Sequence, residues 1–190
     1  MTNLDHSSTN QSRWLARYYL ARAAFSLAWV AALLTVGSQS PALSAALLVL
    51  YPAWDAAANY MDASRNGGLA NNGTQAINLT VSAAAALAVL AALQVSPSAV
   101  LIVFGAWAIL AGLLQLGTAL RRWRLAGAQW AMVLSGGQSA LAGTIMIVLS
   151  LQAVPAIAST VAGYATFGAI YFLLSALMLF LGQRKSQRQG

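Results

Sequence analysis

A chain of 190 residues that is 59% hydrophobic and only 7% charged cannot coat a soluble globule, in which about a quarter of the residues are charged. Cysteine is absent, which excludes disulfides, thiolate catalysis and cysteine-held zinc or iron–sulfur sites, and the lone histidine, His6, cannot build a histidine-rich metal centre. The net charge of +7 is spread between apolar segments rather than gathered on one folded face, so it reads as membrane topology and not as a nucleic-acid surface.

In chain order, the polar opening "MTNLDHSSTNQS" reads as a disordered cytoplasmic tail over residues 1–13. A transmembrane domain over 14–183 follows, in which six apolar runs are long enough to cross the hydrocarbon core as helices: 15–37, 42–64, 74–94, 98–120, 126–150 and 156–182. A basic cytoplasmic tail, 184–190, ends the chain. The first run resembles a cleavable leader, but five further runs follow and no small-x-small site adjoins it, so it is expected to stay as a span. Only 14 residues separate Arg22 from Gly37, about 21 Å of helix, so Arg22 itself must enter the membrane.

The second run carries "YPAWDAAANYMDASRNGG". Pro52 removes a backbone hydrogen bond and is expected to kink the helix. Tyr51, Asp55, Asn59 and Asp62 follow i, i+4, i+8 and i+11 and share one face. Asp62 is expected to pair with Arg65 at the interface, a weak interaction. Asp55 lies about 20 Å from the start of its run, deep enough that a charge is costly unless paired or hydrated. Arg22 reaches a similar depth on the neighbouring span, so a buried Arg22–Asp55 ion pair is expected. Asn59, Asn78, Gln115 and Gln138 lie 17 to 19 residues from the nearest turn proline and, with Tyr51, make a polar layer.

Small residues recur on later spans: Ala84, Ala88 and Ala92 on the third, Gly105 and Gly112 on the fourth, and Gly136, Ala140 and Gly143 on the fifth. Such stripes mark seams where helices approach closely in lipid. Trp14 and Trp123 suit the interfacial aromatic belt, and Trp29, Trp54 and Trp107 are expected to fill the interior.

Three short joins, "GSQSPA", "QVSPSA" and "QAVPAI", carry Pro41, Pro97 and Pro155, spaced 56 and 58 residues apart. One hairpin per period predicts three consecutive hairpin repeats, about 14–66, 72–122 and 125–183. Every basic residue lies away from the proline turns: Arg13, Arg17 and Arg22, then Arg65, then Arg121, Arg122 and Arg124, then Arg184, Lys185 and Arg188. The positive-inside rule therefore puts Arg65, Arg121, Arg122, Arg124, Arg184 and Lys185 at the cytoplasmic surface as anchors, both termini inside and the proline turns outside. The fold class is an all-α integral membrane protein of six spans, N-in and C-in.

No catalytic constellation can be assembled without glutamate, cysteine or a second histidine. "SGGQSALAG" lacks the lysine of a phosphate-binding loop, and Asp55 and Asp62 are about 10 Å apart along their helix, too far to share an ion. The chain is expected to be no enzyme and to need neither cofactor nor metal. Two readings of Asp55 stay open: a register lock between hairpins, or part of a proton or small-solute path.

The stretch "FGAWAILAGLLQLGTALRRWRLAGAQWAMVLSGGQSALAGTIMIVLSLQAVP", Phe104 to Pro155, resembles the HdeD family of bacterial membrane proteins. It has that family's glycine-rich fourth helix closed by a basic cluster and a "W...LSG...AL.G" fifth helix leading to a proline, and the six spans in hairpin repeats fit it over nearly the whole chain. The resemblance implies a multi-pass protein of the bacterial inner membrane with a role in stress tolerance of the acid-resistance type, and it carries over no catalytic residue. Membrane lipids are the expected partners, with a homo-oligomer or a membrane-protein partner left open. The alternatives are a small transporter or channel using Asp55, and a membrane scaffold or lipid-binding subunit.

Overall fold

The computed structural model describes residues 2–122, 129–152 and 156–187. Every regular element among them is helical: α1 (Thr2–Thr35), a 3-10 turn at Gly37–Gln39, α2 (Pro41–Arg65), a second 3-10 turn at Leu69–Asn71, α3 (Gly73–Ala92), α4 (Pro97–Arg122), α5 (Gln129–Leu149) and α6 (Ile157–Gln187). Five segments are long and apolar enough to cross a membrane, namely Arg13–Gln39, Pro41–Arg65, Gly73–Ala92, Pro97–Gly117 and Ile157–Gln183, and α5 contributes a shorter apolar stretch, Val133–Leu149. The protein is a helical chain built for a bilayer.

Two ends differ from the sequence reading. Helix α1 begins at Thr2, inside the stretch expected to be disordered, and α6 runs on to Gln187, into the expected basic tail. Extending an existing helix costs little compared with nucleating one, so a polar end can prolong a span by several turns. Pro155, Trp123, Arg124 and Arg188 lie outside the described residues.

The two described proline turns share one construction. Pro41 and Pro97 open α2 and α4, where a missing N–H costs nothing and the fixed φ suits the first turn. Each follows a serine whose hydroxyl caps the helix: Ser40 Oγ accepts from the Leu43 N–H at 3.4 Å, and Ser96 Oγ from the Ala99 N–H at 3.1 Å. At the opposite end of α2, Gly67 and Gly68 take φ of 93° and 83°, a region open to glycine at little cost. The Gly68 N–H donates to Ala63 O at 2.8 Å, closing the helix. The Asp62 carboxylate then accepts from Asn66 Nδ2 at 2.9 Å and from Gln75 Nε2 at 3.0 Å, tying the end of α2 to the start of α3.

The chain divides into two compact units. The first consists of Met1–Val30 and Ala165–Gly190. Within it, Ala16, Ala23, Ser26 and Trp29 form the buried face of α1, and Ala165, Ala169 and Ala176 that of α6. The two helices meet at Phe172, which stacks on Tyr19 at 6.0 Å and lies 4.3 Å beneath the Arg22 guanidinium.

The second unit, Ala31–Tyr164, holds the end of α1, helices α2 to α5 and the start of α6. Its core gathers Leu33, Leu48, Tyr51, Val89, Leu101, Phe104, Trp107 and Met146. Helices α2, α3, α4 and α5 pack in sequence, most extensively α4 on α5. Glycine makes that seam possible. A Cβ on Gly105 would stand 2.6 Å from the Gly143 carbonyl oxygen, and one on Gly112 would stand 2.5 Å from that of Gly136. The glycines are paired antiparallel, seven residues apart on each helix, so two successive turns bring backbone directly onto backbone.

Candidate functional site

In the second unit, half-buried Asp55 stands on α2 one turn beyond Tyr51 and one turn before Asn59. Its Oδ2 accepts from Ser82 Oγ on α3 at 2.7 Å and from Asn59 Nδ2 at 3.0 Å. Ser82 is 1% exposed, and its Oγ also accepts from Trp107 Nε1 on α4 at 3.0 Å. An indole N–H can only donate, so this contact uses a lone pair of the serine and leaves its single proton for Asp55. The direction of the chain is thereby set: Trp107 to Ser82 to Asp55, with Asn59 as a second donor to the same oxygen.

Aromatic rings enclose the indole. Tyr51, Phe104 and Tyr164 each meet Trp107 edge to face, with ring centroids at 5.9, 6.0 and 6.1 Å. The Tyr164 hydroxyl in turn lies 3.1 Å from Ser139 Oγ on α5. Helices α2, α3, α4, α5 and the start of α6 thus all contribute to one polar and aromatic cluster. A hydrogen bond contributes about 0.5–1.5 kcal/mol net, and an edge-to-face pair about 0.5–1.5 kcal/mol beyond its buried area.

The residues expected at the site fall into three groups. Asn59 hydrogen-bonds to Asp55, and Tyr51 is buried against Trp107. Asn78, Gln115 and Gln138 are half-buried and, among the described residues, do not join the Asp55 hydrogen bonds. Arg22 belongs to the first unit, where it donates to the Tyr18 hydroxyl at 3.3 Å and lies over Phe172. The two residues of the expected Arg22–Asp55 pair belong to different compact units. Pro52 is buried inside α2, where it cannot donate to the Leu48 carbonyl. Arg65 is exposed at the end of α2, Arg121 and Arg122 end α4, and Arg184 and Lys185 lie in the last turns of α6.

Nothing in the local sequence marks Ser82 or the polar edge of Trp107 as part of the site. A serine amid "VSAAAALAV" looks like one more small packing residue, and a deep tryptophan looks like filler. A depth count carries the missing signal, because Ser82 lies 15 residues before Pro97 and Asp55 lies 14 after Pro41. Among the described residues no three His, Cys, Asp or Glu side chains converge to hold a metal ion, and the donors from Ser82 and Asn59 to Asp55 are neutral groups. Comparison of the chain with protein-family models, with curated proteins and with solved structures yields no match.

Proposed function

We propose that this chain is an HdeD-like protein of the bacterial inner membrane, without enzymatic activity, whose six spans form three hairpins with both termini cytoplasmic and whose role in stress tolerance is structural. The observation that supports the structural reading is the engagement of Asp55. Its carboxyl oxygen is shared by donors from its own helix and from α3, behind an indole that is 5% exposed. A group held this way fixes the register of α2, α3 and α4, because sliding any of them by a turn would strand polar atoms in hydrocarbon. The family resemblance of Phe104 to Pro155 supports the membrane and the stress role.

Reconstitution separates this reading from a conducting one. Vesicles containing the purified protein and an entrapped pH dye are expected to dissipate an imposed proton gradient no faster than empty vesicles. A faster decay that Asp55→Asn abolishes would replace the structural reading by a proton path. Survival of cells after an acid challenge, with and without the intact gene, tests the stress role.

A further inference from the structure

One face of α1 has the layout of a phospholipid. Arg13, Arg17, Leu20, Ala24 and Leu27 are all exposed, and steps of four, three, four and three residues keep them in a single stripe along the helix. Ala16, Ala23 and Ser26, about a quarter turn round the helix, are buried, and the stripe beside them is exposed, so it belongs to the side that α1 presents outward. Depth divides it. Counting back from Thr35, the last residue of α1, Arg17 lies 18 residues away, about 27 Å of helix, close to the roughly 30 Å thickness of a hydrocarbon core. Arg17 and Arg13 therefore stand at headgroup level, and Leu20, Ala24 and Leu27 stand at acyl-chain level. Trp14 and Tyr18, stacked at 5.2 Å, sit beside the arginines at the depth where amphipathic rings prefer to lie.

We infer that this stripe is a binding site for an anionic phospholipid, its phosphate held between the Arg13 and Arg17 guanidiniums and one acyl chain laid along Leu20, Ala24 and Leu27. Charge complementarity selects the occupant. Two guanidiniums one turn apart offer donors in the fork geometry that suits phosphate, and a zwitterionic lipid would bring a compensating positive charge into the same place. The inference needs only that α1 crosses the bilayer. It does not depend on the structural role proposed for Asp55.

The test uses the full chain in neutral detergent, titrated with phosphatidylglycerol or phosphatidylcholine, with bound lipid counted by native mass spectrometry. The intact protein is expected to retain phosphatidylglycerol at least tenfold more tightly than phosphatidylcholine, and Arg13→Gln with Arg17→Gln to remove that preference, while Arg65→Gln, at the exposed end of α2, leaves it unchanged. A fold-independent check comes from the intact protein, in which inorganic phosphate at equal concentration is expected not to displace the lipid, since it lacks the acyl chain. Equal retention of both lipids, a double variant that binds like the parent, or displacement by phosphate alone would each overturn the inference.

Discussion

Ser82 has one proton and two partners, and that arithmetic decides what its loss does. Ser82→Ala takes the proton from Asp55 and leaves the Trp107 N–H, on a residue 5% exposed, without its acceptor. An unsatisfied buried donor costs about 1–3 kcal/mol, so the variant is expected to unfold at lower denaturant in detergent, followed by helix content. Trp107→Phe removes the N–H together with the five-membered half of the buried indole, so its own cost includes lost packing as well as the hydrogen bond. The double variant should then cost less than the two single losses added together, because both remove the same hydrogen bond. Strict additivity would show that Ser82 and Trp107 are neighbours without being coupled.

Between elements, the contrast to test is that of adjacent glycines. A Cβ on Gly136 would lie 2.8 Å from the Gly112 carbonyl oxygen, whereas one on Gly137 would meet nothing within 4 Å. Gly136→Ala must push α4 and α5 apart, with an expected cost of about 1–3 kcal/mol from overpacking. Gly137→Ala is expected to be neutral or stabilising, since alanine is favoured over glycine inside a helix by about 1 kcal/mol. Thermal unfolding of the two variants in one detergent checks the pair, and equal midpoints would mean that the seam does not depend on backbone approach. The small residues of this seam were legible in "FGAWAILAG" and "SGGQSALAG". Their pairing was not, because a stripe marks a close-approach face without naming the helix that uses it.

For the whole molecule, the absence of native cysteine makes topology directly measurable. Ser38→Cys and Gln94→Cys, in the joins beside Pro41 and Pro97, are expected to react with a membrane-impermeant maleimide from outside intact spheroplasts. Ala70→Cys, in the join that follows Arg65, is expected to react only after permeabilisation. The reverse pattern would overturn the cytoplasmic placement of the termini. The six helices could be read from sequence because span length is dictated by bilayer thickness and the proline turns by backbone chemistry, both local constraints.

Composition alone determined that this chain is helical and apolar enough for a membrane, since no other backbone arrangement short of a closed barrel satisfies its polar groups in lipid. Local spacing determined that Tyr51, Asp55 and Asn59 share a face, because helix geometry is the same in every context. Only the tertiary structure decided that Ser82 and Trp107 complete the Asp55 site, and that Gly105 meets Gly143 and Gly112 meets Gly136. Those choices rest on the rotation and offset of one helix against the next, which side-chain packing sets and residue periodicity does not encode.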